Sequence, residues 1–261
     1  MSATATNDRV PQLDLRRFDA GEAARVVFLE ELRAAAHGLG FFYIAGHGVE
    51  SALLRDLMQT TRRFFALPEA DKLAIEMISS PHFRGYVLEP LYGDDPHYLI
   101  KLIRYPGHDA AVSARQGVGA HKDAGLITLL LQDDQGGLQV ETPGGWIDVP
   151  PRAGTFVINI GELLELASDG YLRATMHRVI TPPTSIERIS AAFFLGARLD
   201  ATVPLLHLPP TLATQARGPE HDPQNPLFRE VGLNYMKGRL RSHPDVAQRH
   251  HADLLKSDKS Q

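Results

Sequence analysis

The sequence predicts a mainly β protein with flanking helices, in which a jelly-roll core follows a helical N-terminal region. From residue 99 onward the chain consists of short apolar runs, at 99–105, 127–131, 138–141, 156–160, 177–180 and 189–195. Turn-forming pairs such as Gly136-Gly137, Gly144-Gly145 and Pro182-Pro183 separate these runs. A parallel α/β sheet would need a helix between successive strands, so this pattern favours a sandwich or barrel of short strands.

The N-terminal region, residues 1–98, is predicted to hold helices around one or two strands that join the core. Residues 10–15 form a short alternating strand, and residues 21–37 carry apolar side chains at helical spacing until Gly38 and Gly40 end the helix. The aromatic and branched run at 40–46 predicts a buried strand, and residues 51–65 predict a second helix. We assign residues 99–261 to the core, which ends in a helical tail at about 245–255.

The composition excludes several classes of function. At 261 residues, 43% hydrophobic and 22% charged, the chain has the composition of an ordinary globular protein. Its formal net charge of −4 offers no basic excess for nucleic acid. The absence of cysteine excludes disulfides, thiolate nucleophiles and iron–sulfur clusters, so a metal must be held by His, Asp or Glu. Because no signal core and no run of ~18 apolar residues is found, we expect a cytoplasmic protein without a membrane partner.

Three His-x-Asp pairs are candidates for a metal site: His121-Lys122-Asp123, His243-Pro244-Asp245 and His251-Ala252-Asp253. The proline of the second pair cannot lie in a central strand and is expected to open the tail helix. The third pair lies inside that predicted helix, where positions i and i+2 do not face each other. Only His121 is followed at once by a strand-like run, and on an extended chain residues i and i+2 point to the same side.

His177 is the candidate for the third ligand, since it opens the branched run at 177–180. Two imidazoles and one carboxylate occupy one face of an octahedron and leave three positions open, as in non-haem iron(II) oxygenases. Spacing alone leaves another interpretation open, in which His121 and His177 are surface or hydrogen-bonded histidines and Asp123 is a turn residue.

Arg188 and Ser190 are the candidates for binding an anionic co-substrate. They stand 11 and 13 residues after His177, at the start of the run that ends at residue 195. On one strand face, a guanidinium fork and a hydroxyl could meet the same carboxylate. The alternative for Arg188 is a solvated residue at the end of a strand.

A series of further motifs runs through nearly the whole chain. In order, they are Val10-Pro11, Gly40-Phe41-Phe42-Tyr43, His47-Gly48-Val49, Phe64-Phe65-Ala66-Leu67-Pro68, Arg84-Gly85-Tyr86, Leu102-Ile103-Arg104-Tyr105-Pro106, His121-Lys122-Asp123, Gly137-Leu138-Gln139-Val140, Trp146-Ile147-Asp148-Val149, Asn159-Ile160-Gly161, His177-Arg178-Val179 and Arg188-Ile189-Ser190. In these motifs and their order, the chain resembles the isopenicillin N synthase-like iron(II)/2-oxoglutarate-dependent dioxygenase family.

The resemblance implies a double-stranded β-helix core with iron(II) on His121, Asp123 and His177. It implies 2-oxoglutarate as co-substrate, with its distal carboxylate on Arg188 and Ser190. Tyr105 falls where many members place a tyrosine that contacts the same carboxylate; an aromatic side chain packed in the strand is the alternative. The implied reaction oxidises a small organic substrate with dioxygen, releases succinate and carbon dioxide, and uses no catalytic side chain beyond the metal centre.

Two departures from the family pattern bear on the site. Plant-type members carry Asn two residues before the tyrosine, where this chain has Ile103. Only 15 residues separate Tyr86 from Leu102, whereas relatives have a longer, largely helical stretch there. Two alternatives remain open: the protein lacks those helices, or the sequence as given omits a segment at this point. If the helices are absent, one side of the sheet is less covered and the pocket is more open.

Two other functions remain open on the sequence. One is an oxidase of the same fold that uses no 2-oxoglutarate, with Arg188 and Ser190 holding the carboxylate of the substrate itself. The other is a non-catalytic jelly-roll binding protein that keeps its histidines for structure. The three ligands and the arginine together favour the dioxygenase.

Overall fold

The structure, a computed structural model, describes residues 9–76, 78, 98–107, 116–182, 186–220 and 225–257. Within these ranges the strands are β1 (Gln12–Asp14), β2 (Phe41–Ala45), β3 (Tyr98–Tyr105), β4 (Gln116–His121), β5 (Ile127–Gln132), β6 (Leu138–Thr142), β7 (Gly145–Asp148), β8 (Phe156–Ile160), β9 (His177–Ile180) and β10 (Arg188–Leu195). The helices are α1 (Glu22–Gly38), α2 (Ser51–Phe65), α3 (Glu69–Leu73), α4 (Glu162–Ala167), α5 (Pro210–Ala213), α6 (Val231–Ser242), α7 (Pro244–His250) and α8 (Leu254–Ser257).

The strands form two mostly antiparallel sheets. The larger sheet has the order β1-β2-β8-β5-β10-β3, and the smaller has the order β4-β9-β6-β7. Apolar side chains of both sheets share one core cluster, in which Val157 and Tyr105 of the larger sheet meet Val140 and Val179 of the smaller. The predicted mainly β fold with flanking helices is therefore confirmed, and the core lies between the two sheets.

The strand register defines which residues of the larger sheet face this core. Directly paired residues of antiparallel strands point to the same face. The inward rows are therefore Phe41, Asn159, Thr128 and Phe194; Tyr43, Val157, Leu130, Ala192 and Lys101; Gln132, Ser190 and Ile103; and Arg188 with Tyr105. On the opposite face, Leu131, Ile189 and Leu102 pack against Met58 of α2. Helix α2 thus covers the outer face of the larger sheet and leaves the inner face to the site.

The structure differs from the prediction in the tail and in β4. The predicted tail helix is interrupted, because α7 ends at His250 and α8 begins at Leu254. The pair at His251 and Asp253 therefore lies in a turn, and the helical reason for dismissing it was wrong. Strand β4 was not predicted, because Gly117 and Gly119 give this segment a low strand propensity. The segment is a strand because it forms backbone pairs with β9.

The connection between Tyr86 and Leu102 lies largely outside the described residues. The more open pocket that its short length implied lies outside them too. Among the helices in the described ranges, none combines the length and the apolar character needed to cross a membrane.

Candidate functional site

His121 and His177 stand directly opposite each other on neighbouring strands, at the end of β4 and the start of β9. Their ring centroids are 4.3 Å apart. Asp123 follows β4 by two residues, and its Oδ1 lies 3.5 Å from His121 Nε2 and 3.7 Å from His177 Nε2. The expected convergence of His121 and Asp123 is thus present, although Asp123 lies in the loop between β4 and β5 and not on a strand.

Backbone carbonyls orient both imidazoles. The Nδ1 of His121 lies 2.8 Å from Gly119 O, and the Nδ1 of His177 lies 3.1 Å from Thr175 O. A carbonyl oxygen only accepts hydrogen bonds, so each Nδ1 carries the proton and each Nε2 keeps its lone pair. Burial lowers the pKa of His177, which favours the neutral form that a metal requires. Burial lowers and Asp123 raises the pKa of His121, with a net rise.

Two donors hold the outer oxygen of Asp123. The Oγ1 of Thr128 and the Nδ2 of Asn159 both donate to Oδ2, the latter at 2.7 Å. Burial alone would raise the pKa of Asp123, but the electrostatic effects of His121, His177 and Asn159 outweigh it and hold the pKa well below its usual range. The carboxylate therefore stays ionised and presents Oδ1 toward the two imidazoles.

The loop that carries Asp123 packs on the N-terminus of α4. Glu162 N donates to Asp123 O at 2.7 Å, and Leu163 N donates to Gly125 O at 3.1 Å. A Cβ on Gly161 would lie 2.2 Å from Gly125 O and 3.0 Å from Asp123 O. The close approach that fixes this loop therefore requires glycine at position 161.

His121, Asp123 and His177 are the group that could hold a metal ion within the described ranges, with one ligand atom from each and all three atoms within 4.8 Å of one another. Neutral imidazoles with one carboxylate suit a divalent first-row metal, and three ligands leave coordination positions open. The preset tautomers and the anchored carboxylate mean that the ligands need little rearrangement to bind it. The donor set thus fits iron(II).

A buried cation lies farther along the same inner face. Arg188 has 0% exposure, and its Nη2 donates to Gln132 Oε1 at 2.9 Å while Nη1 lies 3.4 Å from Ser190 Oγ. Its Nε is buried without a hydrogen-bond partner in the described part of the chain. A buried guanidinium with an unused donor is costly unless it meets an anion. This group therefore fits the carboxylate of a co-substrate.

Tyr105 packs beside the guanidinium of Arg188. Arg188 pairs with Tyr105 in the register of β10 and β3, and the Arg188 Cζ lies 4.8 Å from the ring centroid. Burial raises the pKa of Tyr105 against the opposing effects of Arg188 and Ser190, so its hydroxyl stays protonated and able to donate. The structure thus brings Arg188, Ser190 and Tyr105 close together.

Three supporting residues were missed from the sequence: Thr128 and Asn159, which hold Asp123, and Gln132, which holds Arg188. The sequence did indicate Thr128, because it is a polar residue within an apolar predicted strand. In the structure its side chain is buried, with 5% exposure. Asn159 lies 36 residues from Asp123 and Gln132 lies 56 residues from Arg188. Only the sheet register brings these partners together.

A two-sheet β core with a two-histidine, one-carboxylate group and a buried arginine defines the class of non-haem iron oxygenases. Residues 96–197 match the 2OG-Fe(II) oxygenase superfamily, and residues 10–91 match the N-terminal domain of non-haem dioxygenases in morphine synthesis. A homoarginine-6-hydroxylase from Glycine max is 30% identical, over 73% of this chain and 82% of the relative. A 2-oxoglutarate-dependent dioxygenase from a Dothideomycetidae species is 28% identical, over 93% of this chain and 92% of the relative.

The chain therefore belongs to the 2OG-Fe(II) oxygenase superfamily, whose cofactors are iron(II) and 2-oxoglutarate. Solved structures agree on the double-stranded β-helix. A full-length Neurospora crassa protein in complex with α-KG and thymine has a TM-score of 0.75 at 18% identity, over 93% of this chain and 100% of the other. The rice dioxygenase for auxin oxidation has a TM-score of 0.67 at 25% identity, over 90% of this chain and 96% of the other. The predicted family and fold are confirmed.

The alignment with the Dothideomycetidae relative bears on chain length. It spans 338 positions, whereas this chain has 261 residues. The relative therefore carries residues within the aligned region that have no counterpart in this chain.

Proposed function

We propose that His121, Asp123 and His177 hold iron(II) in this enzyme and that Arg188 and Ser190, with Tyr105, bind the distal carboxylate of 2-oxoglutarate. The observation that carries this proposal is the unpartnered Nε of the buried Arg188, on the sheet face that also anchors Asp123. Thr128 contacts Asp123 and Gln132 contacts Arg188, four residues apart on the same side of β5. The metal ligands and the guanidinium thus lie near opposite ends of the same stretch of β5, from Thr128 to Gln132. This placement suits a dicarboxylate that binds the metal at one end and the guanidinium at the other.

When bound, iron(II) with 2-oxoglutarate and dioxygen supplies the oxidation of the substrate, with release of succinate and carbon dioxide. The protein contributes orientation and exclusion of water. Carbonyls fix the histidine tautomers, and Thr128 with Asn159 turns Oδ1 of Asp123 inward. Arg188 neutralises the distal carboxylate in a buried setting, where a charge-assisted hydrogen bond is strong.

The substrate is a small molecule of the kind that these enzymes oxidise. The names of the relatives and structural neighbours point to different substrates: homoarginine, thymine and auxin. Those names therefore do not select one for this chain. We also propose that residues 1–98 form the N-terminal region and residues 99–261 the oxygenase core with its tail.

Absorption spectroscopy without oxygen tests the assignment of the site. Iron(II) and 2-oxoglutarate added together should give a visible charge-transfer band that neither gives alone, because the band requires both on one metal. His177→Ala should lose the band at any 2-oxoglutarate concentration, whereas Arg188→Met should recover it at high concentration. A full band in His177→Ala would refute the ligand assignment.

Succinate analysis on admission of oxygen separates the dioxygenase from the oxidase alternative. The dioxygenase forms one succinate for each 2-oxoglutarate consumed. Oxygen consumption with substrate but without succinate would instead assign Arg188 to the substrate carboxylate. A protein that gave no band and consumed no oxygen would be the non-catalytic binding protein.

A further inference from the structure

Asp133 is a buried carboxylate that directly follows β5, with 9% exposure. Its oxygens accept hydrogen bonds from two backbone N–H groups: Oδ1 from Gln135 at 2.9 Å and Oδ2 from Ile189 at 2.5 Å. The half-exposed guanidinium of Arg62 on α2 lies 3.8 Å from Oδ2, beyond hydrogen-bond length. A buried carboxylate is costly unless it is hydrogen-bonded. The hydrogen bonds of this carboxylate go to the backbone, which it holds in place.

The contact between Asp133 and Ile189 lies where the ladder between β5 and β10 ends. The register of these two strands ends at the pair of Gln132 and Ser190, although β10 begins two residues earlier, at Arg188. Beyond that pair, Asp133 N donates to Ile189 O at 3.1 Å, and Ile189 N donates to the Asp133 carboxylate. Both backbone polar groups of Ile189 are thus bound to one residue. The carboxylate extends the ladder to the position between the two residues that are assigned to the co-substrate.

The last residue of β5 and the residue after it together hold three consecutive residues of β10. Gln132 pairs with Ser190 in the register, and its Oε1 accepts from Arg188 Nη2 at 2.9 Å. Asp133 holds the backbone of Ile189 between them. The Ile189 side chain is fully buried in the cluster on the outer face of the sheet, so its two neighbours in the strand point inward. A shift of the Ile189 backbone would therefore displace both Arg188 and Ser190.

The guanidinium of Arg188 needs accurate placement to bind a carboxylate. A guanidinium is a planar fork that meets the two carboxylate oxygens with directed hydrogen bonds. Misplacement of a binding group by about 1 Å can cost on the order of 100-fold. Groups of this kind keep their geometry when the surrounding residues hold them by packing and hydrogen bonds. The residue that fixes the backbone beside Arg188 thus controls how well the fork meets its anion.

From this geometry we infer that Asp133 is a positioning residue for the co-substrate. By holding the backbone of Ile189, it directs Arg188 and Ser190 toward the distal carboxylate, and it thereby sets the preference for a 2-oxo dicarboxylic acid over a 2-oxo monocarboxylic acid. The inference rests on the proposed function and adds to it a residue that acts through the two binding side chains. A merely structural role would weaken the binding of every ligand, whereas positioning affects the distal carboxylate alone.

Comparison of two 2-oxo acids tests the inference. 2-Oxovalerate has the chelating end and the chain length of 2-oxoglutarate, with a methyl group in place of the distal carboxylate. Full-length protein loaded with Mn(II) is titrated with each acid by calorimetry, and the ratio of the two dissociation constants measures the contribution of the distal carboxylate. The wild-type protein should prefer 2-oxoglutarate by roughly 30-fold or more, as expected for a buried charge-assisted pair.

Replacing Asp133 should reduce this preference. Asp133→Ala should lower it by roughly 10-fold, because Ile189 N loses its acceptor. Asp133→Asn should lower it less, since the amide keeps one acceptor oxygen where the carboxylate has two. Affinity for 2-oxovalerate and for Mn(II) should stay at the wild-type value in both variants. Asp134→Asn is the matched control, because it removes the same charge from an exposed neighbour whose Oδ1 accepts from the side chain of Gln135.

Two outcomes would overturn the inference. One is an unchanged preference in both Asp133 variants. The other is an equal loss of affinity for both acids together with weaker Mn(II) binding, which would show a structural role alone. If thermal unfolding shows that Asp133→Ala does not fold, Asp133→Asn decides by the same outcomes. A wild-type protein that binds both acids equally would instead overturn the proposed role of Arg188 and Ser190, and the inference with it.

A double-mutant cycle shows whether Asp133 acts through Arg188. Arg188→Met should by itself remove most of the preference for 2-oxoglutarate. Adding Asp133→Ala to Arg188→Met should then change the preference little, because no guanidinium is left to position. Additive losses would show that the two residues act independently, and would overturn the inference.

Discussion

Asn159 on β8 donates a hydrogen bond from Nδ2 to Oδ2 of Asp123 at 2.7 Å, and so fixes a candidate metal ligand from a strand 36 residues away in sequence. Thr128 on β5 donates to the same oxygen. The two donors leave Oδ1 as the atom that faces the histidines. Groups that orient a ligand in this way typically contribute 10–100-fold to metal affinity.

We therefore expect Asn159→Ala to weaken binding of Mn(II) or iron(II) by roughly 10-fold to 100-fold, and Thr128→Val to have a similar effect. In each variant the carboxylate loses one of the two contacts that set its rotation. Isothermal titration with Mn(II) measures the affinity. Gln139→Ala is the control, since that side chain bonds Asp148 on the exposed side of the smaller sheet. Wild-type affinity in both site variants would show that the loop alone positions Asp123.

Replacing any of His121, Asp123 or His177 with Ala should abolish tight metal binding. The fold should persist, because the site lies at strand ends and in a loop while the shared core depends on side chains such as Val140 and Tyr43. Metal content after dialysis and far-ultraviolet circular dichroism measure the two effects. His251→Ala, from a rejected His-x-Asp pair, serves as the control. If it removed the metal as completely as His121→Ala does, the site would lie in the tail.

Much of this site could be predicted because local sequence determines it. The run at 127–131 predicts β5, the run at 177–180 predicts β9, and the spacing of Arg188 and Ser190 predicts one strand face. What could not be predicted depends on contacts between distant segments. The glycine-rich β4 forms because it pairs with β9, and that pairing places His121 opposite His177.

Gly161→Ala should weaken the metal site without touching a ligand. A Cβ at this position would lie 2.2 Å from the carbonyl oxygen of Gly125, so the 123–125 loop or α4 must shift. We expect a stability loss of about 1–3 kcal/mol and weaker Mn(II) binding, since overpacking of this kind displaces backbone. Thermal unfolding and Mn(II) titration measure the two effects.

Gly38→Ala is the matched control for that change. Nothing lies within 4 Å of a Cβ at Gly38, which is in the last turn of α1 far from the site in sequence, and its φ is not positive. It should leave metal affinity unchanged and, if anything, raise stability by up to ~1 kcal/mol through helix propensity. A Gly161→Ala protein with the stability and metal affinity of Gly38→Ala would show that the contact with Gly125 is not constraining.

The last prediction concerns the guanidinium of Arg188. Truncating one partner of a buried, charge-assisted pair costs ~2–5 kcal/mol, whereas loss of a neutral hydroxyl contact costs nearer ~1 kcal/mol. Arg188→Ala should therefore raise the apparent constant for 2-oxoglutarate by roughly 30-fold or more, because each ~1.4 kcal/mol is tenfold. Ser190→Ala should have a clearly smaller effect, consistent with its distance of 3.4 Å from Nη1. Arg188→Lys keeps the charge but loses the planar fork that contacts Gln132, so it should recover only part of the loss.

Succinate formation as a function of 2-oxoglutarate concentration, at saturating iron(II), gives the apparent constant for each variant. Arg178→Ala is the control, because that guanidinium stacks on Trp146 on the smaller sheet, 4.1 Å from the ring centroid, and serves no predicted role in the site. Thermal unfolding of each variant separates a local effect from a loss of fold, since Arg188 is fully buried. If Arg188→Ala and Arg178→Ala gave the same constant as the wild type, the carboxylate would be bound elsewhere, and the unpartnered Nε of Arg188 would need another anion.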